Sequence, residues 1–339
     1  MLRYKKCFVC IFAVGFTLIA VFLSGCGTKE PIRQTGFYFD TVISVTLYDR
    51  TKTEELAHCF ELADRYEHYF SAKIKDSDIS KINDAAGSPV AVHEETLALL
   101  EKGLDYARLS QGKFDITIGK LTGLWDFQAE SPVVPQPSAL KKAVANVDYH
   151  KVVIKGNEVT LQNPQSAIDL GGIAKGYIAD QMKEYLLSQG VTEGIINLGG
   201  NILTIGTKEN GDAYTIGIQK PFDETGAPIV SLQVKDQSVV TSGTYERYFE
   251  QDGVLYHHIL DTENGYPYDN GLVSVSVISK KSVDGDGLST TCFALGLEKG
   301  MELIESQPHT EAIFITSDFE LHCTSGIGKE IPMQKVENP

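Results

Sequence analysis

Segments typical of strands and of helices follow one another in this chain without regular β–α alternation, and this order limits the folds that it can adopt. Three segments have the apolar periodicity of amphipathic helices, namely residues 53–69, 93–112 and 173–190. Short alternating or apolar segments typical of strands surround them and are concentrated in the second half of the chain. A mixed order of this kind favours an α+β fold. We therefore expect a mixed, antiparallel-rich sheet covered by helices, in two intertwined lobes.

Local composition predicts the character of several connecting segments. The aromatic and β-branched residues of "KFDITIGKLTGLWDF", 113–127, predict a strand. The Pro-rich residues 128–138 predict a loop and a candidate lobe boundary. Near the C-terminus, a helix is predicted over residues 289–305. It follows the acidic, glycine-rich residues 282–288, which predict a flexible corner against the core.

The first 25 residues have the pattern of a secretory signal peptide. A basic start is followed by a long apolar stretch that ends in Leu-Ser-Gly, directly before Cys26. A transmembrane anchor is the alternative, but it does not explain the small residues before the cysteine. The stretch resembles a bacterial lipoprotein signal, which implies cleavage before Cys26 and lipidation of its thiol. We then expect a polar tether over residues 26–36 and a folded domain over residues 37–330.

The charge balance argues against a nucleic-acid partner. The whole chain has 30 Lys and Arg against 45 Asp and Glu, and removal of Arg3, Lys5 and Lys6 with the signal peptide leaves 27 basic residues and a formal charge of −18. Neutralisation of phosphates requires a basic face, which such a chain does not favour. The three cysteines that follow Cys26 are too few and too scattered for a disulfide framework or a thiolate zinc site.

Two oxygen-bearing side chains in "SVDGDGLSTTCFALG" form a candidate metal site. Asp286 and Thr290 are four residues apart at a predicted helix start, so they lie on one face about one turn apart. A carboxylate and a hydroxyl at that spacing are hard oxygen donors suited to Mg²⁺. An EF-hand is excluded, because counting from Asp284 places Ser289 and Leu295 where Gly and Glu are required. The alternative is that Asp286 only caps the helix.

A second segment, "DLGGIAKG", has the pattern of an anion-binding turn. Asp169 is predicted at a strand end and is followed by two glycines at a helix N-terminus, where free amides and the helix dipole favour an anion. Lys175 can offset the repulsion between an acidic protein and a diphosphate, or can be a solvated residue of the first helical turn. The two segments together suggest a metal-bound diphosphate. Neither the Rossmann nor the P-loop fingerprint is present in the sequence.

Longer motifs, taken in order, resemble the ApbE family of FAD:protein FMN transferases. They are "GKFDITIGKLTGLWDF", "DLGGIAKGYIADQ", "INLGGN", "VVTSGTYERYFEQDGVLYHHILD" and "VSVISKKSVDGDGLSTTCFALG". The resemblance covers nearly all of the chain after the signal peptide. It implies that Mg²⁺ holds the FAD diphosphate while a Ser or Thr hydroxyl of an acceptor protein attacks the FMN-side phosphorus, so that AMP leaves.

The resemblance also implies roles for individual residues. The metal is held by the side chains of Asp286 and Thr290 and by the carbonyl of Gly172, and the catalytic residues are Asp286 and His258. The residues implied to contact FAD are Lys113, Phe114, Asp115, Asp169, Lys175 and Ile259. Phe114 has an alternative role in the core, and Asp115 has one in holding backbone amides. Because neighbouring strand residues face opposite ways, His257 and His258 are not expected to line one site.

These inferences lead to one expected function and two alternatives. We expect a lipid-anchored flavinyltransferase on the extracytoplasmic face of the cell membrane, with Mg²⁺ as cofactor and FAD as substrate. Its expected partners are FMN-acceptor redox proteins of the membrane, such as Rnf- or Nqr-type complexes or FMN-binding domains, with no nucleic acid. The alternatives are an FAD diphosphatase that yields FMN and AMP, and a flavin-binding or solute-binding lipoprotein without turnover.

Overall fold

A computed structural model describes residues 30–336 of the chain. The predicted signal peptide and Cys26 lie outside these described residues. The strands are β1 Ile32–Tyr38, β2 Thr41–Leu47, β3 Val90–Ala91, β4 Val152–Lys155, β5 Glu158–Leu161, β6 Glu193–Leu198, β7 Asn201–Gly206, β8 Tyr214–Gln219, β9 Pro228–Val234, β10 Ser238–Gly243, β11 Tyr248–Gln251, β12 Val254–His257, β13 Leu272–Ser279, β14 Glu311–Thr316, β15 Leu321–Cys323 and β16 Met333–Lys335. The helices are α1 Thr53–Phe70, α2 Asp78–Asp84, α3 Glu94–Leu109, α4 Gly119–Thr122, α5 Pro137–Val144, α6 Ala174–Ser188, α7 Ser282–Leu295 and α8 Leu297–Glu305.

A large antiparallel sheet organises the described residues. Its strand order is β1-β2-β6-β7-β10-β13-β14-β15, and every neighbouring pair in that order is antiparallel. All eight residues of β13 are buried, as expected for a strand with packing on both faces. The α+β prediction with an antiparallel-rich sheet is therefore confirmed.

Alternate residues of the central strands supply two different cores. In β14, Ala312 and Phe314 belong to a core shared with α1, α3, α6 and α7. Ile313 and Ile315, which face the other way, pack instead with apolar residues of β8 and β9. The small sheet β16-β9-β8 thus covers one face of the large sheet and the helices cover the other. The site residues described below lie mostly on the helical side.

Several segments differ from the elements predicted for them. Residues 32–36, predicted as part of a tether, lie in β1 and pair with β2. The sequence did not reveal this strand, because the alternate polar residues of an edge strand resemble those of a polar linker. Residues 113–118 are not a strand, since Asp115 accepts bonds from the Thr117 amide and hydroxyl and closes a turn. The loop at 128–138 does not separate two lobes, because the described residues from Pro31 onward form one compact unit.

The acidic corner is part of a helix rather than a flexible loop. Helix α7 begins at Ser282, so Asp284 and Asp286 lie in its first turns, and the segment around Asp286 is buried. Asp169 does not end a strand, and the nearest ladder contact is the isolated bridge between Ile118 and Ala167. Within residues 30–336, none of the helices combines the length and the apolarity needed to cross a bilayer.

Candidate active site

The candidate site forms where α6 and α7 cross at Gly176. A methyl group on Gly176 would lie 2.4 Å from the Ser282 carbonyl oxygen and 2.6 Å from the Val283 Cα, so only glycine permits this approach. The crossing brings the predicted anion-binding turn and the predicted metal pair together, although they are more than a hundred residues apart in sequence. The site therefore depends on the tertiary contact between two helices.

The two helices exchange carboxylates at this crossing. Asp180 of α6 accepts hydrogen bonds from the amides of Ser282 at 2.7 Å and Val283 at 2.9 Å, and so caps α7. Burial raises the pKa of the Asp180 carboxyl to about 6, against the opposing effect of these two amides. In return, Asp286 Oδ2 of α7 accepts a hydrogen bond of 2.8 Å from the Gly176 amide in the first turn of α6. Asp286 therefore bonds to the N-terminus of α6 and does not cap its own helix.

Only one Asp286 oxygen is engaged by a backbone amide. The residue is 4% exposed, and its Oδ1 lies 3.7 Å from Lys175 Nζ. Burial raises the pKa of the Asp286 carboxyl, while the Lys175 ammonium and the Gly176 amide oppose that shift. A buried carboxylate with one oxygen fixed by a helix amide and the other beside a single cation is pre-positioned to bind a metal ion.

Thr290 and Gly172 lie close together, as the predicted metal site requires. A methyl group on Gly172 would lie 3.9 Å from Thr290 Oγ1 and 2.9 Å from Phe114 Cε2. Thr290 is one helical turn after Asp286 in α7, and both side chains belong to the same helix face. The predicted donors are the Asp286 carboxylate, the Thr290 hydroxyl and the Gly172 carbonyl. All are hard oxygens, so these residues fit Mg²⁺.

Among residues 30–336, no group of three or more His, Cys, Asp or Glu side chains is arranged to hold a metal. An Mg²⁺ ion held by a single carboxylate takes its remaining ligands from other oxygens, such as substrate phosphates.

The Gly171-Gly172 turn is held by its neighbours on both sides. Asp169 Oδ1 accepts a hydrogen bond of 2.8 Å from the Gly171 amide, and Asp169 Oδ2 accepts one of 2.7 Å from the Thr122 hydroxyl. Lys175 Nζ donates to the Gly171 carbonyl at 3.2 Å. Lys175 is therefore directed back over the turn towards Asp286 and is not simply a solvated residue of the first helical turn. Lys175 therefore presents its ammonium group beside the candidate metal pair, while the Gly171 amide is engaged by Asp169.

The other predicted FAD contacts form a continuous path through Tyr268. The Tyr268 hydroxyl donates to the Lys113 carbonyl at 3.0 Å, and the Tyr268 amide donates to the Ile259 carbonyl at 3.0 Å. Phe114 continues the path, because its buried ring lies against Gly172. Lys113 Nζ is directed to Glu263 at 3.6 Å. The structure thus brings Lys113, Phe114 and Ile259 to one side of the Gly-Gly turn.

Both carboxylate oxygens of Asp115 accept hydrogen bonds from neighbouring residues of the fold. Its Oδ1 accepts from Thr117 as described above, and its Oδ2 accepts a hydrogen bond of 2.9 Å from the Tyr149 amide. Burial raises the pKa of this carboxyl, while the bonds from Thr117 and Tyr149 oppose that rise. The alternative role foreseen for Asp115, holding backbone amides, is the one that its side chain has here.

The two adjacent histidines face different surroundings. His257 is buried, its Nε2 donates to the Tyr268 carbonyl at 3.0 Å, and its Nδ1 accepts from the Ile259 amide at 3.3 Å. His258 is half-buried, and its buried Nδ1 has no hydrogen-bond partner among residues 30–336. Burial, and then the positive charge of Arg247, lower the pKa of His258 to about 3. The charges of His257 and Lys175 contribute to the same lowering of the His258 pKa.

Sequence reasoning missed several polar groups that complete the site. Asp180 and the hydroxyls of Ser242 and Ser289 were not singled out, although each lies in a quoted motif. Ser242 follows Thr241 in "TSG", and its hydroxyl lies 3.0 Å from Thr290 Oγ1. The available signal was the strand periodicity of β10, which turns Ser242 and Thr241 to opposite faces.

The sequence and the fold are both similar to those of known proteins of one family. The ApbE family model matches residues 39–314. An FAD:protein FMN transferase of Klebsiella pneumoniae is 41% identical over 269 residues, which cover 78% of this chain and 83% of that protein. One from Treponema pallidum is 35% identical over 329 residues, covering 90% and 91%. The crystal structure of the ApbE protein of Thermotoga maritima superposes with a TM-score of 0.81 at 30% identity, covering 87% of this chain and 97% of that one.

Proposed function

The chain belongs to the ApbE family and is an FAD:protein FMN transferase, and from this premise we propose that it moves FMN from FAD to a Ser or Thr hydroxyl of an acceptor protein. The reaction requires Mg²⁺ and releases AMP. The observation that carries this proposal is the meeting of Asp286, Thr290 and the Gly171-Gly172 turn at the crossing of α6 and α7.

The side chains of Asp286 and Thr290, with the Gly172 carbonyl, are the residues that would hold the metal. When bound there, Mg²⁺ neutralises diphosphate charge and so stabilises the charge that develops on phosphoryl transfer. The Gly171-Gly172 turn directly precedes α6, where the helix dipole favours a phosphate group. The amides of Ile173 and Ala174 are already bonded to the Leu170 carbonyl, so the dipole and Lys175 are the sources of this attraction. Lys175 adds a positive charge on the same side, between the turn and Asp286.

The remaining residues bind and orient the two ends of FAD. Ile259, Tyr268 and Phe114 are buried in the main core, and the bonds that link Tyr268 to Ile259 and Lys113 would fix the wall next to the turn. His258 is neutral near pH 7 because burial and nearby positive charges lower its pKa to about 3. A neutral imidazole can accept the proton of the attacking hydroxyl or donate a hydrogen bond to a phosphate oxygen.

The transfer itself can be tested with a candidate FMN-acceptor domain. The protein is incubated with FAD, Mg²⁺ and the domain, and the mixture is separated on a denaturing gel. We expect a fluorescent acceptor band and stoichiometric AMP, because the phosphoester bond survives denaturation. A domain in which the acceptor Ser or Thr is replaced by Ala is the control and should remain dark.

Other outcomes of this assay identify the alternatives. Free FMN and AMP without a labelled acceptor, across several acceptor domains, would indicate an FAD diphosphatase. Bound FAD with neither product would indicate a flavin-binding protein without turnover. Either result would contradict the proposed transfer.

We further propose that the protein is anchored by lipid at Cys26 on the extracytoplasmic face of the cell membrane, where its acceptors would be membrane redox proteins. The support is the sequence pattern that ends at Cys26. Replacement of Cys26 with Ser should abolish incorporation of a labelled fatty acid into the protein and should block removal of residues 1–25, seen on immunoblots as a form of higher apparent mass. Fatty-acid labelling that persists in Cys26→Ser would contradict lipid anchoring at this residue.

A further inference from the structure

A row of hydroxyl groups connects β10 to the candidate metal pair on α7. The fully buried Ser289 places its Oγ 3.0 Å from the Asp286 carbonyl oxygen. Ser242 of β10 places its Oγ 2.8 Å from Ser289 Oγ and 3.0 Å from Thr290 Oγ1. These hydroxyls have not been assigned a role above, although one end of the row is the Thr290 hydroxyl itself.

The chemistry of the row fixes the direction of its hydrogen bonds. The Asp286 carbonyl can only accept, so the Ser289 hydroxyl donates to it. The oxygen of Ser289 then accepts from the Ser242 hydroxyl, and the oxygen of Ser242 accepts from Thr290. Thr290 also lies 3.5 Å from the Asp286 carbonyl, but the contact of 3.0 Å with Ser242 is the better hydrogen bond.

We propose that Ser242, supported by Ser289, is a positioning residue. Its oxygen accepts the hydrogen bond from the Thr290 hydroxyl and so leaves the lone pairs of the Thr290 oxygen free for Mg²⁺. This inference rests on the proposed function and extends it to residues outside the ligand set. A hydroxyl that binds a cation must direct its hydrogen elsewhere, and a defined acceptor removes the need to reorient on binding. Partners of metal ligands commonly affect metal affinity or activity by about 10–100-fold.

Replacement of Ser242 with Ala tests the proposal through the Mg²⁺ requirement. We expect the Mg²⁺ concentration for half-maximal FMN transfer to rise about 10-fold, with the rate at saturating Mg²⁺ close to that of the wild type. A second readout needs no turnover: with ADP in place of FAD as the source of a diphosphate, the Mg²⁺ concentration that gives half of the maximal rise in the thermal unfolding midpoint should increase by a similar factor. Ser242→Thr, which keeps the hydroxyl, should restore both values.

A neighbouring hydroxyl pair provides a matched control. Thr241 also lies on β10 but faces the other side of the sheet, where its Oγ1 lies 2.7 Å from Ser276 Oγ. Thr241→Val removes a hydroxyl from the neighbouring, partly buried residue of β10 while keeping the shape of its side chain. It is expected to leave the Mg²⁺ requirement unchanged. Ser289→Ala interrupts the row at its middle and should raise the Mg²⁺ requirement, and adding Ser242→Ala should raise it little further, because both changes break one network.

The outcomes separate this inference from the proposed function. If the wild type needs Mg²⁺ and Ser242→Ala has the same half-saturating concentration in both readouts, the positioning role is wrong while the proposed function stands. If Thr241→Val shifts the requirement as much as Ser242→Ala, the effect belongs to the strand as a whole and the role is also wrong. If the wild type transfers FMN equally well without divalent ions, the Mg²⁺ requirement and the positioning role both fail while FMN transfer stands. If the wild type transfers no FMN at any Mg²⁺ concentration, the proposed function itself fails.

Discussion

Replacement of Asp286 with Ala is expected to abolish AMP release from FAD, with a loss of about 10³-fold or more in kcat/KM. Asp286 provides the only carboxylate in the metal set proposed above, and its one oxygen that is not bonded to the Gly176 amide lies beside Lys175. Without it, diphosphate charge would be offset by Lys175 and helix amides alone. The measurement is AMP formation from FAD with and without an acceptor domain, followed by chromatography.

A second variant at this position separates chemistry from folding. Asp286→Ala leaves the buried Gly176 amide without its acceptor, which by itself costs about 1–3 kcal/mol of stability. Asp286→Asn keeps an oxygen that can accept from that amide but removes the negative charge. We therefore expect Asp286→Asn to fold with an unfolding midpoint near that of the wild type and still to lose most of the activity.

Asp284 provides the matched control on the same helix. It lies two residues earlier, on a different face, where it accepts from the Tyr106 hydroxyl at 2.9 Å and pairs with Lys102 at 2.6 Å. Asp284→Asn removes the same charge while keeping an acceptor for Tyr106. It should leave the Mg²⁺ requirement and AMP release nearly unchanged. Equal losses in Asp284→Asn and Asp286→Asn would contradict the specific metal role of Asp286.

The sequence predicted the two halves of this site, but not how they meet. The four-residue spacing of Asp286 and Thr290 and the Gly171-Gly172 turn at a helix start are local features, and both are present in the structure. Their contact depends on Gly176, whose place at a helix crossing is set by tertiary packing. A glycine inside a helical pattern carries no sequence signal for the element that packs against it.

The start of α7 shows how tertiary contacts override local propensity. Glycines at 285 and 287 disfavour a helix, so the sequence predicted a flexible corner there. In the structure, a methyl group on Gly285 would lie 2.8 Å from Val240, and one on Gly287 would lie 2.2 Å from the Tyr106 ring. The glycines therefore permit close packing, and Asp180 caps the helix from α6. The cost of helical glycine is offset by contacts that no local pattern can reveal.

The opposite facing of the two histidines was predictable from strand periodicity alone. Strand β12 ends at His257, and the ring of His257 packs at 5.8 Å against Phe293 of α7. Alternation does not say which of the two histidines faces the site, and His257 is the one that packs against α7. The assignment of His258 follows from the resemblance to the family, and its pKa is lowered in part by the charges of Arg247 and Lys175.

Replacement of His258 with Ala is expected to lower the rate of FMN transfer by about 10²–10³-fold, the usual size of an acid-base contribution. The fold should be preserved, because the buried Nδ1 of His258 forms no hydrogen bond with any residue in 30–336. The measurement is single-turnover FMN transfer to an acceptor domain at saturating FAD and Mg²⁺, together with the thermal unfolding midpoint. His257→Ala is the control, and its main effect should be on stability rather than on the rate of transfer. It should lower the unfolding midpoint through loss of the Tyr268 and Ile259 contacts.

The pH dependence gives an independent test of the state of His258. Its pKa is lowered to about 3 in the free protein, so at pH 5.5 and above nearly all His258 side chains are neutral and can accept a proton. Since kcat/KM reports the ionisations of the free enzyme, His258 should contribute no acid limb near 6.5, the pKa of an unperturbed histidine, and a limb from Asp180, whose pKa is about 6, should persist in His258→Ala. An acid limb near pH 6.5 that vanishes in His258→Ala would show that His258 titrates like a solvent-exposed histidine. That result would contradict the buried environment described for this ring.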